Sequence, residues 1–112
     1  MTELSDFDTQ SMQDPDARSV FLHGREIIIV HADGGWRAYL NNCPHINLPL
    51  NFIENDFLDR ERQYIVCANH GALFQMDDGL CVSGPCQGQA LYALACELRG
   101  DKLYVDDRSW ES

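Results

Sequence analysis

Two short runs, Cys43-Pro44-His45 and Cys67-Ala68-Asn69-His70-Gly71, constrain this chain more than any other feature of it. In the first, cysteine and histidine stand two positions apart; in the second, three. One such pair would carry little weight among five cysteines and four histidines. Two pairs, each opening on cysteine and closing on histidine, make a four-ligand set of soft sulfur and borderline imidazole. Zinc accepts that set, and so does an iron–sulfur cluster in which histidines replace the thiolates on one iron.

The rest of the chain bounds the answer. At 112 residues it is long enough for one domain with its own core and too short for two. A net charge of −10 argues against nucleic acid or an anionic membrane as partner. The acidity suits either a basic protein partner or simple solubility. Residues 1–16 lack the basic start, apolar run and cleavage site of a signal peptide. No apolar run approaches the roughly 18 residues that span a bilayer. An odd number of unevenly spaced cysteines fits a reducing compartment and metal chemistry better than a disulfide framework. A soluble, cytoplasmic protein is expected.

Short β-like runs dominate both ends. Residues 1–17 are polar, acidic and aperiodic, and read as a loosely ordered arm. Ser19–Leu22, Glu26–Val30 and Trp36–Leu40 follow, separated by His23-Gly24-Arg25 and Asp33-Gly34-Gly35. The β-branched run Ile27–Val30 suits a strand buried on both faces. Closely spaced hairpins of this kind argue for an all-β domain. In the middle, Gln63–Val66 and Ala72–Gln75 are strand candidates flanking the second Cys/His run, and Asp77-Asp78-Gly79 is a hairpin turn. Asn51–Arg62 carries six charges and reads as an excursion loop. Leu91–Leu98 reads as one strand, and Lys102–Val105 as another beyond the Arg99-Gly100-Asp101 turn. Strands thus supply a rigid base, and two loops present the ligands from its tip.

A two-iron cluster needs two ligands per iron. The set divides into Cys43 and Cys67 on one iron and His45 and His70 on the other. With two thiolates and two neutral imidazoles the oxidised unit is uncharged overall, so adding an electron is easier than to an all-thiolate cluster. The paired motifs, with Asp78-Gly79, Gly84-Pro85 and the flanking strands, resemble a Rieske-type 2Fe-2S domain from about Val20 to Val105. The resemblance is to the small soluble members: Rieske ferredoxins, ferredoxin-like components of oxygenases and the small nitrite reductase subunit. It implies stacked antiparallel sheets with an inserted, loop-rich cluster-binding subdomain, and one 2Fe-2S cluster on Cys43, His45, Cys67 and His70. With the acidic arm at 1–17, the expected division is a single domain at 18–107 and a frayed end at 108–112. Within that domain the base strands would cover 18–41 and 89–107, and the cluster subdomain 42–88.

The chain departs from the pattern in several places. Respiratory members join the two loops by a disulfide; the corresponding positions here are Leu48 and Asn69, so that bridge cannot form. Ala72 and Phe74 stand where those relatives carry serine and tyrosine hydroxyls that stabilise the reduced cluster, which implies a lower potential. Asn47 replaces a common glycine, a position where asparagine tolerates positive φ. Ala68 replaces a common proline and is expected to loosen its loop.

The bland alternative for the four ligands is structural zinc, but the 21 residues between the pairs and the His70-Gly71 step fit Rieske loops better than zinc fingers. Cys81 and Cys86 flank the Gly84-Pro85 segment and read as reduced, partly buried thiols; Cys96 reads as core. His23 and His31 read as surface residues, and Trp36, Tyr39, Phe74 and Tyr92 as core aromatics. The chain shows no nucleophile with a paired base, no phosphate-cradling loop and no dinucleotide fingerprint. It is therefore expected to be an electron-transfer component rather than an enzyme by itself. It would pass single electrons from a reductase to a terminal oxidoreductase such as an oxygenase, as a monomeric carrier. The alternatives are a small subunit bound permanently to an oxidoreductase, of nitrite reductase type, and a zinc or redox-sensing module.

Overall fold

Ile27, Ile28, Ile29 and Val30 have no exposed surface, which puts the strand that carries them in the middle of the molecule. The computed structural model describes residues 2–4, 7–44, 48–51, 53–69 and 71–106. In chain order the strands are β1 (Thr2–Glu3), β2 (Asp16–Leu22), β3 (Arg25–Ala32), β4 (Gly35–Leu40), β5 (Ile65–Cys67), β6 (Ala72–Phe74), β7 (Cys81–Ser83), β8 (Ala93–Leu94), β9 (Cys96–Arg99) and β10 (Lys102–Val105). The described residues include a 3-10 turn at Thr9–Ser11 and no α-helix. Among them no helix is long and apolar enough to cross a membrane.

The strands form three antiparallel sheets, ordered β2-β3-β4-β8, β1-β10-β9 and β5-β6-β7. Successive side chains of a strand point to opposite faces, and β3 uses both. Ile28 and Val30 join a core with Leu50, Ile65 and Phe74, against the β5-β6-β7 sheet. Ile27 and Ile29 join a second core with Leu4, Leu103 and Val105, against the β1-β10-β9 sheet. The four-stranded sheet is therefore the central layer of three. Burying each of these four side chains contributes roughly 1.5–3 kcal/mol, and both outer layers depend on it. The expected all-β fold of stacked antiparallel sheets is the observed one.

Differences from the sequence reading have physical causes. Leu91–Leu98 is not one strand. Its first part, β8, pairs with β4 through Ala38↔Leu94, and its second, β9, pairs with β10 through Val105↔Cys96. The chain changes sheets at Ala95, whose carbonyl accepts from Asp106 N at 2.8 Å. Leu94 and Cys96 both pack on the second core, so alternation runs unbroken through the change of partner. Tyr92, just before it, is exposed.

The described residues of the expected arm are tied down. β1 pairs Thr2 with Val105, Leu4 and Met12 are buried, and Thr9 Oγ1 donates to the Asp101 carbonyl at 2.8 Å. Isolated apolar residues between acids carry no periodicity that would reveal this. His31 stacks on Trp36 with ring centroids 4.1 Å apart and places Nδ1 3.1 Å from the Gln13 carbonyl, so it is half-buried rather than a plain surface residue.

Candidate metal centre

Cys43 lies on a loop that leaves the central layer, and Cys67 is the last residue of β5, where the second loop begins. The first loop is closed by backbone bonds from Cys43 N to the Leu48 carbonyl (2.8 Å) and from Asn41 N to the Glu26 carbonyl (3.0 Å). Asn41, buried, uses its side-chain carbonyl to accept from Leu50 N at 2.9 Å and its amide nitrogen to donate to Asn51 Oδ1 at 3.1 Å. It satisfies groups that would otherwise be stranded in the core. The second loop turns at Cys67–Gly71, with Gly71 N donating to the Cys67 carbonyl at 2.8 Å and Gly71 at φ +71°.

Two bonds hold the loops side by side. Ala68 N donates to the Leu50 carbonyl at 2.7 Å, and Asn69 Nδ2 donates to the Pro49 carbonyl at 3.1 Å. Ala68 was expected to loosen this region relative to proline. Its N–H instead makes a cross-loop bond that proline, having no amide hydrogen, cannot make. The same Asn69 nitrogen lies 3.6 Å from Cys67 Sγ in donor geometry.

Cys43 and Cys67 have no exposed surface and share the first core with Leu50, Phe57, Ile65 and Phe74. His45 and His70, with Asn47, lie outside the described residues. Among the described residues no group of three or more Cys, His, Asp or Glu is arranged to hold a metal. The expected ligand set therefore needs those histidines beside the two cysteines. What is described fits a sulfur-ligated centre: two buried thiols on adjacent, cross-bonded loops, with an amide donor aimed at one of them. Ala72 and Phe74 are both buried in β6.

Cys81 and Cys86 complete the surroundings. Both are buried, and Cys86 Sγ donates to Cys81 Sγ at 2.9 Å. Cys81 Sγ donates to the Ser83 carbonyl at 3.3 Å. Burial pushes the Cys86 thiol up to about 12, helped by the Cys81 hydrogen bond and by the proximity of Cys81 and Cys43. None of the five cysteines, all described, is in a disulfide. Between Cys81 and Cys86, Gly84 at φ +105° lies so close to β6 that a Cβ would sit 2.8 Å from Ala72 Cα. The Gly84-Pro85 turn is thus seated on the strand that leaves the second loop. The sequence pointed to the cysteines, but not to Asn41 as the brace within the first loop or to Ala68 and Asn69 as the residues joining the two.

Elsewhere, a crevice of about 520 Å³ is lined by residues including Asp14, Pro15, Arg37, Arg62, Tyr64 and Asp77. Its polar groups serve one another: Asp14 accepts from Asp33 N and Gly34 N, Arg37 Nε donates to the Asp77 carbonyl, and Arg62 donates to the Pro15 carbonyl. Those backbone donors hold the Asp14 carboxyl below its ordinary range, the Gly34 bond most strongly.

Three layers of antiparallel sheet, with two buried cysteines on loops bonded to each other, define a small all-β domain. A family model described as the Rieske [2Fe-2S] domain matches residues 3–99, and the chain belongs to that family. Its domain binds a [2Fe-2S] cluster. No match was found among curated proteins. Among solved structures, the ferredoxin of carbazole 1,9a-dioxygenase from Nocardioides aromaticivorans IC177 superposes with a TM-score of 0.73 at 19% identity, covering 94% of this chain and 97% of that one. A chain of the complex of reduced oxygenase and oxidized ferredoxin in carbazole 1,9a-dioxygenase gives 0.69 at 23% identity, over 88% and 86%. The terminal oxygenase of carbazole 1,9a-dioxygenase from Novosphingobium sp. KA1 gives 0.72 at 18% identity over 88% of this chain, which spans only 28% of that protein. These are likenesses of fold.

Proposed function

We propose that this protein is a one-electron carrier that accepts an electron from a reductase and delivers it to a terminal oxidoreductase such as an oxygenase. Cys43 and Cys67 would hold one iron through sulfur, and His45 and His70 the other through ring nitrogen. When bound, a [2Fe-2S] cluster supplies a centre that gains and loses one electron. The observation that carries this reading is the pair of buried cysteines on cross-bonded loops within a matched Rieske span. The core around them keeps water from the sulfurs, while Leu48 and Pro49 beside the first loop, and Pro85, are exposed where a partner would approach. The likeness to a ferredoxin over nearly the whole of both chains supports a carrier.

In this reading residues 42–88 form the cluster-binding part and the remaining strands its base, and the carrier is a cytoplasmic monomer. The net charge of −10 would favour basic docking surfaces on the reductase and the oxygenase. A permanently bound subunit is the second reading, favoured by Phe21 at 70% and Ile53 at 67% exposure. Size exclusion of the protein from its native host separates the two: a carrier elutes alone, a subunit with its enzyme.

The test is anaerobic purification with iron, sulfide and zinc analysis, then EPR after dithionite reduction. Iron and sulfide in the ratio of a [2Fe-2S] cluster, with a rhombic signal of lower average g than all-thiolate clusters, are expected. Zinc without sulfide, in protein made with ample iron, would refute the carrier.

A further inference from the structure

The two cluster-binding loops carry Leu48 and Asn69 where no disulfide can join them, yet a side chain does cross between them. Asn69 Nδ2 reaches back 20 residues to the Pro49 carbonyl at 3.1 Å, and the same nitrogen lies 3.6 Å from the sulfur of Cys67. An amide nitrogen carries two hydrogens, so both contacts can be made at once. The Pro49 bond fixes the amide so that its second hydrogen stays on the sulfur. Cys67 is fully buried, so no water competes for that lone pair.

We propose that Asn69 is a positioning residue that clamps the two loops and tunes the Cys67 sulfur through one amide group; the proposal rests on the cluster reading above. A donor on a ligand sulfur withdraws electron density and favours the reduced, more negative state. Losing it lowers the potential. The clamp acts with the Ala68 N–H bond to the Leu50 carbonyl, and together they do by hydrogen bonding what a disulfide bridge would do covalently. A hydrogen-bonded clamp is insensitive to reductants, which suits a protein whose thiols are kept reduced.

The experiment compares wild type with Asn69→Leu, which keeps the approximate volume and removes both donors. Iron and sulfide content is measured first, then the reduction potential by EPR-monitored titration and the rate of cluster release to a chelator. The expected result for N69L is a roughly tenfold smaller equilibrium constant for reduction, about 59 mV for a one-electron couple, with release accelerated about tenfold. If N69L does not load, Asn69→Asp serves, since it keeps the shape while replacing donor by acceptor; its potential falls further because a negative charge is added beside the sulfur. A lost hydrogen bond that was merely structural would speed release and leave the potential where it was. A loaded variant at the wild-type potential therefore overturns this proposal alone. Wild-type protein holding zinc and no sulfide overturns the cluster reading and this proposal with it.

Discussion

Tyr39→Phe removes one oxygen from the contact between the central layer and the β6–β7 hairpin. The Tyr39 ring is buried on β4, its hydroxyl donates to the Met76 carbonyl at 2.7 Å, and Gly79 packs against its edge. The substitution keeps the ring and leaves that carbonyl without its donor in a buried setting, which costs about 1–2 kcal/mol. At about 5 °C per kcal/mol for a domain of this length, the melting midpoint falls by about 5–10 °C. Burial raises the Tyr39 hydroxyl above its ordinary value of about 10, with Asp77 and Asp78 adding to the shift. The sign follows: the folded form holds the proton where the unfolded form releases it. The stability from this group is whole below pH 10 and is lost as pH rises beyond it. Urea unfolding at pH 7.5 and again between pH 9 and 11 reads both effects. Tyr39→Phe should lose stability at neutral pH and lose part of the alkaline slope as well. A variant with the wild-type midpoint at pH 7.5 would refute the reasoning that this hydroxyl ties the layers together.

Gly84→Ala places a Cβ 2.8 Å from Ala72 Cα at a φ of +105°; strain and overpacking together cost about 2–5 kcal/mol, and an unchanged denaturation midpoint would show that the turn lifts off β6 without cost. Ala68→Pro removes the N–H that reaches the Leu50 carbonyl, at about 1–3 kcal/mol, and should speed cluster release to a chelator; a rate equal to wild type would remove the cross-loop role of that bond. Cys81 and Cys86, buried and with the Cys86 thiol pushed up to about 12, should resist iodoacetamide in the folded protein at pH 8 and react fully once it is unfolded. Peptide mapping that found them joined in protein purified anaerobically would overturn that expectation.

What the sequence revealed, and what it hid, follows from the range of the interactions. Ile27–Val30 announced a doubly buried strand because four adjacent β-branched side chains have no solvent-facing alternative. Cys43 and Cys67 were legible because ligand chemistry restricts residue type and spacing within a few positions. Leu4 and Met12 gave no signal, since a lone apolar residue among acids is buried only because β10 returns a hundred positions later. The sheet change at Ala95 was hidden because Leu94 and Cys96 keep the same alternation on either side of it. Asn41 acts through bonds within its own loop and Ala68 and Asn69 through bonds across loops, and a polar or small residue in a loop looks the same whether or not it makes them.

The sheet β1-β10-β9 joins Thr2 to Val105, so its first strand waits for nearly the last residue described. During synthesis the central layer can pair β2, β3 and β4 by local hairpins long before that. Its second face, with Ile27 and Ile29, then remains uncovered until residues 96–105 have emerged. Contacts of such long sequence separation are slow to form. The chain therefore spends its vulnerable period after the loops bearing Cys43 and Cys67 exist and before the far side of the molecule is closed. Until residues 96–105 arrive, Ile27 and Ile29 stay open to proteases and to other unfolded chains, whatever the state of the loops on the opposite face.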